Sequence, residues 1–202
     1  MKTWGTPLGF YLEMYKIIGL TGVARSGKDT FFECLKSNFS NLRFSRIAFA
    51  DELKHECNDF LMKNTGISAF TEDPEEKEII RPFLVTYGTH VRRRLNQNCW
   101  IDKIEPKMIK DRLNTDIFVI TDVRFPNELT WIKSRGGSVI HIQREKTTAA
   151  NEEEGKNDPI LRDLADISLY ALNRPDSYKS HVSSIIRKNL SLDKHGGLSY
   201  KN

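Results

Sequence analysis

Hydrophobic positions along the chain fall into short continuous runs separated by segments with helical spacing. A run that is apolar on both faces is typical of a strand buried in a parallel sheet. Such runs predict strands over Lys16–Thr21, Arg43–Ala50, Asp116–Thr121, Ser138–Gln143 and Ile167–Leu172. Because helices are predicted between them, the pattern indicates a doubly wound α/β fold with ligands at the carboxyl ends of the strands.

Apolar residues at helical spacing, together with proline and glycine boundaries, place the helices. The polar stretch Asn151–Asp158 and the segment Asn64–Pro74 are interpreted as loops, and residues 1–15 as an extension before the first strand. The predicted helices cover Phe31–Lys36, Asp51–Lys63, Glu75–Leu95 with a break near Gly88, Trp100–Leu113 with a kink at Pro106, a segment from Pro126 to Gly136, and Asp176–Leu190.

Composition narrows the class of protein. With 202 residues, of which 39% are hydrophobic and 29% charged, the chain suits one domain of ordinary size. Its net charge of +4 favours anionic ligands but is too diffuse to indicate nucleic-acid binding. Three widely spaced cysteines indicate neither disulfides nor a zinc knuckle, and no apolar run has the length of a membrane span. We therefore expect a cytoplasmic protein.

The most informative motif is the glycine loop Gly22–Thr30, which lies between the first strand and the first helix. Glycines allow successive backbone N–H groups to surround a polyphosphate, and the helix N-terminus adds positive potential. Lys28 can reach the outermost phosphates. The predicted nucleotide contacts are Gly22, Ala24, Arg25, Ser26, Gly27, Lys28, Asp29 and Thr30.

One position departs from the phosphate-loop pattern. Asp29 stands where serine or threonine normally offers a hydroxyl to magnesium, and Thr30 follows at once. Several small-molecule kinases share this arrangement. The departure therefore favours a nucleotide kinase over a GTPase switch or a motor ATPase.

A second candidate lies at the end of the buried strand Asp116–Thr121. Asp122 is a candidate magnesium ligand, and Arg124 is placed to neutralise charge on a transferred phosphoryl group. Both residues also have a structural interpretation, in which Asp122 caps the next helix and Arg124 pairs with Glu128. The nearby glycine loop favours the functional interpretation, with Lys28, Asp122 and Arg124 as catalytic residues.

Further candidates for binding an acceptor lie between these motifs. On a continuous helix Arg81 and Arg92 share one flank, and paired guanidinium groups suit the phosphate of a monophosphate. A solvated charged face is the alternative. Asp51 and Lys54 follow the second strand, where Asp51 either positions an acceptor or caps a helix.

Taken together and in this order, several segments resemble the bacteriophage deoxynucleoside monophosphate kinases. Beyond the glycine loop, the most selective is a Gly-Thr segment that leads to Trp100, followed by a Thr-Asp-x-Arg strand end and Gly-Gly-x-Val-Ile. The segments are GVARSGKDT from Gly22, FADELK from Phe49, RPFLVTYGTHVRRRLNQNCW from Arg81, TDVRFPNE from Thr121 and RGGSVIHIQR from Arg135.

The resemblance implies a phosphate-loop kinase fold, a three-layer sandwich around a mostly parallel sheet. It implies a domain over 16–190, with a helical acceptor-binding insertion over about 51–113 and a tail over 191–202. It also implies transfer of the ATP γ-phosphoryl group, with Mg²⁺, to deoxynucleoside monophosphates. The predicted acceptor-binding residues are Asp51, Lys54, Arg81, Arg93 and Trp100. For Trp100, a core residue is the alternative interpretation.

Several alternatives stay open at this point. In the family the arginine after the Gly-Thr segment falls at Arg93, whereas the helical wheel favours Arg92, and a helix break at Gly88 would reconcile the two. Another acceptor, such as a modified base in DNA or a small metabolite, or a non-catalytic ATP switch, also fits the loop. A homodimer through 81–100 is compatible with the pattern, and a phage-encoded enzyme would work in the host cytoplasm.

Overall fold

The computed structural model of the protein describes residues 16–170 and 175–189, with side chains of the last helix over 179–187. The predicted extension over 1–15 and tail over 191–202 lie outside the described residues. In chain order the elements are β1 Lys16–Thr21, α1 Lys28–Asn38, β2 Phe44–Ile47, α2 Phe49–Thr65, α3 Pro74–Val85, a π-helix Thr86–Arg92, a helical turn Arg93–Leu95, α4 Ile101–Asp111, a 3₁₀ turn Arg112–Asn114, β3 Ile117–Val123, α5 Pro126–Ser134, β4 Ser138–Gln143, α6 Glu152–Leu164, β5 Ile167–Tyr170 and α7 Pro175–Asn189.

The described residues form two compact units. The first runs up to Arg46 and resumes at Lys110, so it holds nearly all of the sheet. The second unit, Ile47–Ile109, contains α2, α3, the π-helix and most of α4.

The sheet of the first unit has five strands in the order β2-β3-β1-β4-β5. Strand β1 pairs in parallel with β3 and with β4, and β4 pairs in parallel with β5. Parallel strands present alternate residues to opposite faces. Ile18 and Leu20 of β1 pack with Phe31 of α1, whereas a Cβ on Gly19 would meet Ile132 of α5. Helices therefore cover both faces, which confirms the predicted three-layer α/β fold of the phosphate-loop type.

The second unit has a separate apolar core. Its buried members come from α2, the loop after it and α3, and Leu53, Phe83 and Tyr87 pack against them. Gly88 lies in the π-helix, where a Cβ would come within 2.8 Å of the Leu53 side chain. A glycine there allows the π-helix to approach α2 closely. The buried members of this core are Cys57, Leu61, Ala69 and Ile80.

Two secondary-structure predictions are wrong. The stretch Asn151–Asp158 is not a loop, because Asn151 caps α6 by accepting a hydrogen bond from the Glu154 backbone N–H at 2.9 Å. Strand β2 ends at Ile47 rather than Ala50, and α2 begins at Phe49. The start of α6 is marked by a side-chain cap within an acidic stretch, whereas the start of α2 follows Ala48, which makes no side-chain cap that the sequence could reveal.

The structure also shows the hydropathy of the helices and the state of the cysteines. Within the described ranges, no helix is both long enough and apolar enough to cross a membrane. The three cysteines are free thiols and buried, and burial raises the pKa of the Cys57 thiol to about 11. A raised pKa keeps a thiol protonated and unreactive at neutral pH, so Cys57 has the character of a core residue.

Candidate active site

The glycine loop connects β1 to α1 in a conformation that depends on its glycines. Gly22 and Gly27 have φ angles of 126° and 108°, in the region that side chains other than glycine avoid. A Cβ on Gly22 would lie 2.2 Å from the backbone oxygen of Ile142 in β4. Arg25 also has a positive φ, 63°, which is uncommon for a residue with a side chain. The backbone of the loop is thus held tightly against the neighbouring strand.

Lys28 begins α1, and its side chain folds over the loop. Its ammonium group donates to the carbonyl oxygens of Gly22 at 2.7 Å and of Val23 at 2.8 Å. Burial lowers the pKa of Lys28 below its usual value, and the positive charge of Arg124 lowers it further. The α1 N-terminus therefore carries a cation together with the backbone N–H groups of its first turn, a combination that suits bound anions.

Asp122 and Arg124 lie at the carboxyl end of β3, the strand next to β1. The register pairs Thr21 with Val123, so the end of β3 and the start of the loop meet at one edge of the sheet. Asp122 is buried, and its charge raises the pKa of Lys28, as does the charge of Asp29. Lys28, Asp122 and Arg124, the three predicted catalytic residues, are therefore brought together in one unit.

The structural interpretation paired the Arg124 side chain with Glu128, but the structure shows Glu128 in contact with the Arg124 backbone instead. The buried carboxylate of Glu128 accepts from the backbone N–H groups of Arg124 at 2.8 Å and Phe125 at 3.0 Å, rather than from the guanidinium group. The residue before α5 is Phe125, so Asp122 is not its N-cap. Glu128 thus fixes the Arg124 backbone and leaves its side chain available for another partner.

The side-chain partner of Arg124 is Glu154, which sequence reasoning missed. Arg124 Nη1 lies 3.3 Å from Glu154 Oε1, and Glu154 is only 7% exposed. The carboxylate also raises the pKa of Lys28 by its charge. A signal existed in the sequence, because Asn151 and Glu154 have the N-cap to N3 spacing that marks a helix start.

The predicted acceptor-binding residues lie in the second unit, and the structure gives the surroundings of three of them. Asp51 is not an N-cap, because α2 begins at Phe49 after Ala48, which places Asp51 in the first turn. Lys54 lies on α2 with its ammonium group 5.5 Å from the Phe70 ring. Trp100 is 3% exposed, as the alternative of a core residue requires.

Arg92 and Arg93 are adjacent at the end of the π-helix but have different partners. Arg92 Nε lies 2.8 Å from Glu56 Oε1, and its guanidinium group lies 5.8 Å from the Trp100 ring. Arg93 instead donates to the backbone oxygen of Gln97 at 3.2 Å. Because a π-helix has more residues per turn than an α-helix, the continuous helical wheel that paired Arg81 with Arg92 does not apply here.

Glu56 is the centre of this region. Its carboxylate accepts from Tyr87 at 2.6 Å and pairs with Lys103 at 2.5 Å as well as with Arg92. Burial alone would raise the pKa of Glu56, but hydrogen bonds from Lys103 and Tyr87 outweigh it and hold that pKa below its usual range. The hydrogen bond from Tyr87 to Glu56 raises the pKa of Tyr87 to about 12. We call Glu56, Tyr87, Arg92 and Lys103 the Glu56 cluster.

A buried histidine of the first unit has a carboxylate partner that no spacing in the sequence reveals. His141 of β4 is buried, and its Nε2 lies 3.0 Å from Asp158 Oδ1 on α6. His90 lies exposed on the π-helix. The pair of His141 and Asp158 joins α6 to the sheet, so it belongs to the packing that positions Glu154.

Two arginines of the first unit, Arg144 and Arg162, follow β4 in the sequence. Arg144 follows β4, and its backbone oxygen accepts from Thr147 at 2.7 Å. Arg162 is exposed in the last turn of α6 and lies 3.6 Å from Asp163. Neither contact places these side chains at the glycine loop.

Comparison with known proteins identifies the family. A family model described as phosphomevalonate kinase matches residues 20–138, more than half of the chain. The chain belongs to the phosphomevalonate kinase family. The family match includes the glycine loop, Asp122 and Arg124, and it ends at the first residue of β4.

Other proteins are similar to this chain over most of its length. A protein of Acanthamoeba polyphaga mimivirus, provisionally named a deoxynucleotide monophosphate kinase, is 28% identical over 194 residues, covering 84% of this chain and 95% of its own length. It confirms the resemblance to deoxynucleoside monophosphate kinases. The solved structure of dephospho-CoA kinase from Campylobacter jejuni is 15% identical with a TM-score of 0.48 over 85% of this chain and 96% of its own, and that of shikimate kinase from Aquifex aeolicus is 16% identical with a TM-score of 0.48 over 86% and 97%.

The chain is therefore a phosphate-loop kinase, that is, a nucleotide-binding phosphotransferase. The described residues contain no cluster of three or more His, Cys, Asp or Glu side chains that could hold a metal ion. A nucleotide-bound Mg²⁺ does not require such a cluster, because it usually keeps water and phosphate ligands and takes one or two carboxylates.

Proposed function

We propose that the protein transfers the γ-phosphoryl group of ATP to a deoxynucleoside monophosphate and releases a deoxynucleoside diphosphate and ADP. The observation that carries the proposal is the glycine loop with Lys28 folded over it and Asp122 and Arg124 beside it at the next strand end. Phosphoryl transfer needs alignment and charge neutralisation rather than a nucleophilic side chain. This set of residues supplies both.

Each residue has a role that its position supports. Backbone N–H groups from the loop and from the first turn of α1 would hold the donor phosphates, and Lys28 would exchange its carbonyl partners for phosphate oxygens. Arg124 would neutralise charge on the transferred group. Thr30 and Asp29, both exposed in the first turn of α1, stay predicted donor contacts.

The residues fit magnesium. The buried Asp122 carboxylate, whose charge acts on Lys28, is a hard oxygen ligand that would hold the ion directly or through water. When bound with the nucleotide, the ion would neutralise phosphate charge and orient the phosphate chain. We expect the enzyme to work in the cytoplasm, where its buried thiols stay reduced.

For the acceptor, we propose Asp51, Lys54, Arg81, Arg93 and Trp100 of the second unit, among which Trp100 is buried. A second candidate acceptor is another phosphate monoester, and the family description favours it, because phosphomevalonate kinase is named for an acceptor that already carries a phosphate. Both candidates share one reaction, the extension of a monophosphate to a diphosphate.

A panel of acceptors tests the proposal. ADP release is measured with the full chain, MgATP and each of the four deoxynucleoside monophosphates, their ribonucleotide counterparts or phosphomevalonate. We expect turnover with at least one deoxynucleotide and only slow ADP release without an acceptor. Turnover with phosphomevalonate alone would establish the second candidate, and ATP hydrolysis unaffected by any acceptor would contradict both.

Two further alternatives need separate measurements. A kinase that acts on a base in DNA would bind oligonucleotides with an affinity that falls steeply with salt. A non-catalytic switch would bind MgATP without releasing ADP in the presence of any acceptor. We expect neither behaviour, and either one would overturn the proposed substrate.

A further inference from the structure

Helix α6 places a buried carboxylate beside the proposed transfer site. Glu154, in the first turn of α6, uses its two oxygens differently. Its Oε2 accepts from the backbone N–H of Ala150 at 2.6 Å, which is an ordinary contact at a helix start. Its Oε1 is buried and accepts no hydrogen bond from the described residues, and the Arg124 Nη1 atom lies 3.3 Å from it as an ion-pair partner. Only the first contact is explained by capping.

Two glutamates together fix Arg124. The buried Glu128 of α5 accepts a hydrogen bond from its backbone N–H at 2.8 Å. The buried Glu154 of α6 forms an ion pair with its guanidinium group at 3.3 Å, without a hydrogen bond, and the Arg124 side chain is 42% exposed. A long arginine side chain loses considerable rotamer freedom when it is fixed in one position. Fixing it before the reaction reduces the cost of placing its charge at the phosphoryl group.

Helix α6 is itself anchored to the sheet on the same side. Glu154 and Asp158 are four residues apart, a spacing that places both on one face of a helix. Asp158 meets the buried His141 of β4 at 3.0 Å. The anchor keeps the Glu154 carboxylate at a constant position relative to the strands that carry the glycine loop and Arg124.

We propose that Glu154 is a positioning residue, which holds the Arg124 guanidinium group beside Lys28 for phosphoryl transfer. The proposal rests on the proposed function, because it assigns Arg124 a part in that reaction. The Glu154 carboxylate acts on the site through its ion pair with Arg124 and through its charge near Lys28, and we assign it no contact with the substrate. Helix α6 lies outside the range that the family model matches, so this assignment extends the site beyond that range.

The test compares Glu154→Gln with Glu153→Gln. Glutamine keeps an oxygen for the Ala150 N–H but removes the charge that faces Arg124. Glu153 is in the same turn and its replacement removes the same charge from the helix start. We expect Glu154→Gln to lower kcat about tenfold or more with little change in the KM for ATP or in Tm, and Glu153→Gln to leave kcat unchanged.

A double-mutant cycle separates positioning from a structural role. We expect Arg124→Lys to lower kcat. We expect the double variant, Arg124→Lys with Glu154→Gln, to have a kcat no lower than that of Arg124→Lys alone, because Glu154 then has no guanidinium group to position. Additive losses, or an equal loss from Glu153→Gln, would overturn the proposal. Should Glu154→Gln fold poorly, Glu154→Asp tests the position of the charge instead, since it keeps the charge but shortens its reach, and we expect it also to lower kcat; an unchanged kcat in a folded Glu154→Asp would overturn the proposal.

The outcomes distinguish this inference from the proposed function. Absence of phosphoryl transfer by the unmodified chain would contradict the function itself. Normal transfer by the unmodified chain together with an unchanged kcat in Glu154→Gln would contradict only the role of Glu154.

Discussion

The glycine loop and the Glu56 cluster show two different ways to build a charged site. The loop is made by consecutive residues, and its shape depends on backbone angles, such as the φ of 126° at Gly22. The Glu56 cluster is made by side chains from α2, the π-helix and α4, with Tyr87 31 positions from Glu56. A site encoded by local backbone can be read from a sequence, whereas one encoded by distant side chains cannot.

The largest expected effect separates the two regions by function. Lys28→Ala should lower kcat about 10³-fold, because it removes the cation closest to the donor phosphates. It should leave the free energy of unfolding nearly unchanged, since burial of its charge is unfavourable in the folded state. Steady-state kinetics with thermal unfolding checks both. Full kinase activity in this variant would show that the loop is not the donor site.

A matched pair of glycine substitutions separates the two regions by backbone constraint. Gly22→Ala should destabilise the protein by about 3 kcal/mol, because it adds a contact of 2.2 Å with Ile142 to an unfavourable φ. Gly66→Ala has a φ of 74° but open space, so it should cost only about 1 kcal/mol. Urea unfolding measures both, and equal losses would mean that the loop is not tightly packed.

The sequence predicted the sheet and the loop well because their signals are local. The apolar run of β1 and the glycines after it determine the strand, the turn and the start of α1 without reference to distant residues. Helix α6 was missed because Pro159 and five acidic residues interrupt its amphipathic pattern, although Asn151 caps it. The helical wheel that placed Arg92 on the flank of Arg81 failed because the π-helix changes the angular spacing between residues. The pairing of Arg92 with Glu56 depends on the tertiary fold and is not visible in the sequence.

The Glu56 cluster should affect stability rather than transfer. Glu56→Gln should destabilise the protein by about 2 kcal/mol at pH 7, because it leaves Arg92 and Lys103 without their carboxylate. The folded-state pKa of Glu56 is below its ordinary value of 4.5. Its stabilising effect is therefore full above that value and is lost as pH falls through the lower, folded-state pKa.

The pH dependence of unfolding provides the measurement. The difference in free energy of unfolding between the unmodified chain and Glu56→Gln should be constant from pH 7 to about 5 and should decrease at lower pH. A difference that does not change below pH 4.5 would show that Glu56 is not paired in the folded state. A large fall in kcat with no loss of stability would instead place the cluster in the transfer site.

The smallest expected effect concerns the acceptor. Arg81→Ala should raise the KM for the monophosphate about tenfold and leave the KM for ATP unchanged, because a charged hydrogen bond to phosphate contributes roughly 1.5 kcal/mol. Arg94→Ala removes another exposed arginine of the same segment and is the control. Equal changes in both variants would indicate a general effect of positive charge rather than a contact.

The central claim is that a monophosphate receives the terminal phosphoryl group of the nucleotide held by the glycine loop. Phosphorus NMR of the full chain with MgATP and a deoxynucleoside monophosphate follows that group directly. We expect the signals of a deoxynucleoside diphosphate and of ADP to grow at equal rates. Growth of inorganic phosphate with ADP, and no new diphosphate of the acceptor, would contradict the account.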